Sequence, residues 1–115
     1  MASRTDTKTR ILDAAEKLFA ERGFSETSLR LITSKAEVNL ASVNYHFGSK
    51  KELIRAVLAR YLDVFMPSAA IEINRLHHAP EHASLNEIFS ALIKPLLELN
   101  KVRNGGTIIF LQLLG

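Results

Sequence analysis

The chain has 115 residues, of which 47% are hydrophobic and 23% charged, a balance that fits one compact globular unit and excludes a disordered tail. It has no cysteine, which excludes a disulfide scaffold, a cysteine nucleophile and a thiolate metal site and fits a reducing cytoplasm. The net charge of +3 is unevenly placed: residues 1–60 carry eleven Lys/Arg against seven Asp/Glu, and residues 61–115 carry four against five. The positive half is the one expected to meet a polyanion.

The apolar residues follow a helical period from end to end, with no internal repeat and no strand pattern. The first predicted helix runs from about Thr7 to Arg22. Ile11, Leu12, Ala15, Leu18 and Phe19 form its apolar stripe, with Asp13, Glu16, Lys17 and Glu21 off it. Gly23 closes it at the left-handed position, and Phe24 can fold back onto its last turn. The second helix covers Ser28 to Lys35, capped by Thr27 or Ser28, with Leu29, Ile32 and Ala36 inward. After a tight link at Glu37, Val38 and Asn39, a very short third helix runs from about Ala41 to Phe47. Val43 and Phe47 face inward, and Gly48 ends it.

Ser49 and Glu52 stand in the S-x-x-E capping arrangement that starts a fourth helix. Pro67 is expected to kink or break that helix, whose pattern stops before Pro80. Ser84 and Glu87 repeat the capping arrangement ahead of a fifth helix, Leu85 to about Asn100, with a second kink at Pro95. Asn104, Gly105 and Gly106 read as a loop, and a final apolar helix begins near Thr107. No run approaches the roughly 20 apolar residues of a membrane helix. The polar N-terminus reads as neither signal peptide nor anchor. A cytoplasmic location with no membrane partner is therefore expected.

Two short helices joined by a three- or four-residue turn, between Thr27 and Lys50, have the layout of a helix-turn-helix. A helix of about seven residues is marginal alone in water and must be held by its neighbours. Its outward residues Ala41, Ser42, Asn44 and Tyr45 are poor core but suit a DNA groove. The small ones permit close approach, and an asparagine can contact adenine at two points.

The segment TSLRLITSKAEVNLASVNYHFGSKKEL, Thr27 to Leu53, resembles the DNA-binding domain of TetR-family transcriptional regulators, and FAERGF, Phe19 to Phe24, matches that family's first-helix ending. The resemblance covers about residues 8–60. It implies an all-α fold. An N-terminal three-helix helix-turn-helix DNA-binding domain, residues 1–50, precedes the start of a helical effector-binding and dimerisation domain, residues 51–115. The family's chains are usually longer, so this one is expected to be incomplete. The resemblance places Thr27, Ser28, Arg30, Ala41, Ser42, Asn44, Tyr45, His46 and Lys50 at the DNA. Ser42 and Asn44 face the groove, Arg30 reaches a base edge or the backbone, and Thr27, Tyr45, His46 and Lys50 meet phosphates. Each has an ordinary alternative: Tyr45 as packing, His46 as a solvent-facing helix end, Lys50 as a solvated charge, Arg30 as a surface partner of Glu26. The partners implied are a palindromic double-stranded operator, a small apolar effector and a second copy joined through residues outside this chain. No cofactor and no metal are implied.

Two residues depart from the family pattern. Glu37 stands where the turn usually has glycine, and a left-handed backbone there would cost roughly 1–2 kcal/mol. Thr33 stands where alanine is usual. The run VNYHFGSK, Val43 to Lys50, is similar to the subgroup that responds to fatty acids or acyl compounds. Effector-lining candidates are Leu62, Phe65, Met66, Phe89, Leu92, Ile93, Leu96, Phe110 and Leu114, with plain helix–helix core as their alternative. The fourth helix is the natural lever between effector and DNA, with Lys50 at one end and Phe65 further along. His77, His78, Glu81 and His82 are the only metal-like cluster and read as a polar loop. No nucleophile elbow, P-loop or dinucleotide fingerprint occurs, so no enzyme is expected. The rival reading is a helical protein-interaction module without DNA binding. It predicts little salt-dependent DNA affinity.

Overall fold

In the computed structural model, residues 4–78 and 83–115 are described, with side chains from residue 7 onward. The elements are α1 (Arg4–Arg22), α2 (Leu29–Ala36), α3 (Leu40–His46), α4 (Lys50–His77), α5 (Leu85–Glu98), a 3₁₀ turn (Leu99–Lys101) and α6 (Gly106–Leu114). No strand occurs among the described residues. Contacts divide the chain into two units, one through Ala59 together with Leu111–Gly115, the other Arg60–Phe110. This packing division falls inside α4, whereas the sequence-based boundary lies at residue 50.

In the first unit, α1 packs against both α2 and α3, and α2 packs against α3. Ile11, Ala14, Ala15, Phe19, Ile32, Ala36, Val43, Leu53 and Val57 are buried. Glu16 was placed on the polar side of α1, yet it is only 3% exposed. Contact with two helices buries a wider arc of α1 than its apolar stripe covers. Gly23 takes φ +87°, its N–H donates to the Phe19 carbonyl, and Phe24 stacks on Phe19 at 5.6 Å. Thr33 is buried, and its hydroxyl donates to the Arg30 carbonyl at 2.9 Å. That internal bond lets a hydroxyl occupy a position where alanine is usual.

Ser49 and Ser84 start their helices as expected, their hydroxyls accepting the N–H of Glu52 and Glu87. Neither proline ends its helix. Pro67 lies inside an α4 assigned without interruption from Lys50 to His77, and Pro95 lies inside α5. Pro67 was expected to kink or break its helix and Pro95 to kink its own. The local cost of about 3 kcal/mol is offset by the packing of long helices, with Pro95 itself buried.

In the second unit, Phe110 lies 5.9 Å from both Tyr61 and Phe65. Glu72 is buried between Arg75 and Lys94, at 3.3 and 3.2 Å. The Thr107 hydroxyl donates to the Leu96 carbonyl at 2.5 Å. Asn100 accepts from the Thr107 N–H at 3.2 Å, tying the start of α6 to the turn before it. Of the histidine cluster, Glu81 and His82 lie outside the described residues. The Nδ1 of His78 pairs with the Asn74 carbonyl at 2.9 Å.

Candidate nucleic-acid interface

The recognition surface is built on α3, which is too short to hold itself. Val43 anchors it from below at 0% exposure. Asn39 caps it from ahead: its side-chain oxygen accepts the Ser42 N–H at 2.9 Å and the Ser42 hydroxyl at 3.1 Å. Gly48, at φ +88°, returns its N–H to the Val43 carbonyl at 3.3 Å and closes the helix. Three contacts thus fix a seven-residue rod on the first unit.

The outward side is open. Tyr45 is 77% exposed, which removes the reading of it as packing. Its ring meets His46 edge-on at 5.1 Å. Ala41 and Asn44 are exposed, and Ser42 and His46 half-buried. An open depression of about 450 Å³ is lined by Thr7, Asn39, Ala41, Ser42, Tyr45 and His46. Four of the nine expected residues therefore share one concave surface. Ser28 and Arg30 are exposed on and before α2.

Thr27 departs from expectation, and Lys50 is engaged within the chain. Thr27 is 1% exposed, and its hydroxyl donates inward to the Gly23 and Leu18 carbonyls at 2.8 and 3.2 Å. The cap of α2 is Ser28, whose hydroxyl accepts the Leu31 N–H at 3.1 Å. A buried hydroxyl held by two carbonyls is not presented to a phosphate, and Thr27 acts as a brace of the α1–α2 loop. Lys50 is not a free surface charge. Its ammonium donates to the Phe24 and Thr27 carbonyls at 2.8 and 2.9 Å and lies 4.2 Å over the Phe24 ring.

The structure adds Thr7 and Asn39 to the groove and Leu40, 50% exposed, to the outer side of α3. Asn39 is legible in retrospect, because asparagine at the start of a helix is a preferred N-cap. Thr7 carries no such signal. The effector-lining candidates are not gathered in the same way. Phe65 and Phe110 stack together and Leu96 is half-buried, but Leu62, Met66, Phe89, Leu92, Ile93 and Leu114 are exposed. A shallow cavity of about 380 Å³ in the second unit is lined instead by Glu72, Arg75, Leu76, Asn86, Glu87, Ser90 and Ala91.

Residues 11–57 match the family model described as bacterial regulatory proteins, tetR family. The chain is 36% identical over 103 residues to the HTH-type transcriptional regulator SrpR of Pseudomonas putida, a match covering 85% of this chain and 47% of that protein. It is 47% identical over 55 residues to the HTH-type transcriptional repressor Rv3405c of Mycobacterium tuberculosis, covering 48% of this chain and 29% of the repressor. The chain thus spans less than half the length of these relatives. A solved TetR-like transcriptional regulator from Rhodococcus sp. RHA1 superposes with a TM-score of 0.60 at 28% identity, over 95% of this chain and 57% of that one. Residues 11–57, which enclose the helix-turn-helix, thus carry this chain's likeness to the TetR family of bacterial regulatory proteins.

Proposed function

We propose that the chain is the DNA-reading part of a sequence-specific transcriptional regulator, a repressor released by a small apolar effector such as a fatty acid or acyl compound. The observation that carries the DNA reading is the outer side of α3. A short helix pinned from beneath leaves Ala41 and Tyr45 over an open groove and Asn44 exposed on the same short helix. That is the geometry by which a recognition helix enters the major groove.

The chemistry of each position follows. Ser42 directs its hydrogen to Asn39, so toward DNA it offers lone pairs and suits an amino group of adenine or cytosine. Asn44 is free to pair with adenine at two points, and Leu40 suits a thymine methyl. Arg30, Tyr45, His46 and the third N–H of Lys50 supply phosphate contacts, which set orientation. Two copies, joined through residues outside this chain, would read a palindrome. No helix among the described residues is long and apolar enough to cross a membrane. The effector part rests on the Phe65–Phe110 stack and on α4 running without interruption from Lys50 past Phe65. Differential effector binding to two states of that helix would supply the switch.

Selection of bound duplexes from a random pool at two salt concentrations tests the DNA reading. Enrichment of one motif, binding more weakly at the higher salt, is the expected result. Asn44→Ala should then relax one position of the motif by about 1–3 kcal/mol of discrimination and leave the salt dependence alone. No binding at low salt would favour the interaction-module reading.

A further inference from the structure

The turn between α2 and α3 holds a residue that resists the conformation it is in. Glu37 has φ +59° and ψ +47°, the left-handed region that glycine enters freely and a side chain does not. Among the described residues it alone has positive φ without being glycine. Its N–H closes α2 by bonding to the Thr33 and Ser34 carbonyls, and α3 begins at Leu40. The direction in which α3 leaves α2 is therefore set at Glu37.

A side chain from α1 is fastened to this turn. Arg10 Nη2 donates to the Ala36 carbonyl at 2.5 Å and to the Glu37 carbonyl at 3.1 Å. These carbonyls lie at the C-terminal end of α2, where acceptors lack helical partners and partial negative charge collects. A guanidinium presents several donors in a fixed plane; an ammonium is a point charge on a flexible stem. The Glu37 carboxylate adds little, standing 4.0 Å away and 86% exposed. The carbonyl bonds do the holding.

We infer that Arg10 is a positioning residue for DNA recognition, a latch from α1 that holds the left-handed turn at Glu37 and so the direction of α3. The inference rests on the DNA-binding reading above. Arg10 acts through the Glu37 backbone and touches no DNA. Its importance therefore falls when residue 37 is glycine, which takes the same conformation unaided.

The test is a double-mutant cycle on the full chain with Arg10→Met, Glu37→Gly and the pair. Affinity for the selected duplex is measured across a salt series, and thermal unfolding alongside. Arg10→Met is expected to weaken binding about tenfold in folded protein with an unchanged salt slope, and at most about threefold in the Glu37→Gly background. Arg10→Lys should recover part of the loss. Equal losses in both backgrounds overturn the latch. So does a salt slope lower by about one, which marks a phosphate contact instead. If Arg10→Met does not fold, Arg10→Lys in the two backgrounds makes the same comparison. A wild-type chain that binds no duplex sinks the DNA reading alone. The latch is then judged on unfolding temperatures, where it requires a smaller loss beside Gly at position 37 than beside Glu.

Discussion

Gly106→Ala is expected to destabilise the second unit by about 3 kcal/mol, against the usual sign of a glycine-to-alanine change inside a helix. Alanine normally gains about 1 kcal/mol there by restricting the unfolded chain. At Gly106 an added Cβ would collide with the Leu99 carbonyl oxygen and lie 2.8 Å from its carbon, with the Tyr61 ring at 3.4 Å. The obstacle is backbone, so no rotamer change relieves it. Leu99 is itself fully buried in the 3₁₀ turn, so the start of α6 must move and strain its bonds from Thr107 to Leu96 and Asn100. Gly105→Ala is the control. Gly105 needs φ +72°, but a Cβ there meets nothing within 4 Å, and the expected loss is only about 1–2 kcal/mol. Denaturant unfolding followed by circular dichroism ranks the three proteins. A Gly106→Ala midpoint at or above that of Gly105→Ala would remove the close approach of α6 to Leu99.

These two glycines show what a sequence displays and what it hides. Asn104, Gly105 and Gly106 read as one loop, which is right for Gly105 and wrong for Gly106, the first residue of α6. A glycine needed for its φ and one needed for lack of a Cβ look alike until the opposing backbone is known. Local chemistry was legible: the serine caps at Ser49 and Ser84 and the Gly23 ending depend on residues close in the chain. The prolines show the complementary limit: a local rule allows a break at Pro67, and α4 continues through it. In the candidate site, the exposure of Asn44 and Tyr45 follows from a helix with few apolar residues. The inward hydroxyl of Thr27 and the tethered ammonium of Lys50 join segments up to 26 residues apart, which no periodicity encodes. The apolar run of α5 likewise announces one apolar face without saying what covers it. Leu85, Phe89 and Leu92 are all more than half exposed.

Lys50→Ala is expected to lower stability and duplex affinity together, through two roles with separate readouts. The first is intramolecular. The ammonium bonds the Phe24 and Thr27 carbonyls and covers the Phe24 ring, joining the first turn of α4 to the loop between α1 and α2. Hydrogen bonds to a charged group contribute about 1.5–3 kcal/mol each when well buried. Lys50 is half-buried, so about 2 kcal/mol for the whole clamp is the expected loss. The second role is toward DNA. An ammonium has three donors, and two are engaged in the chain. The third is the one proposed to meet a phosphate. Its removal should reduce the salt slope of binding by about one while weakening all sequences alike. Lys50→Arg separates the roles: it keeps the positive charge, so the slope should hold, but its rigid fork replaces a point donor between two carbonyls, so part of the stability should be lost. If Lys50→Ala unfolds at the wild-type temperature, the clamp contributes nothing. If it loses stability with an unchanged slope, Lys50 serves the fold alone and the phosphate contacts fall to Arg30, Tyr45 and His46.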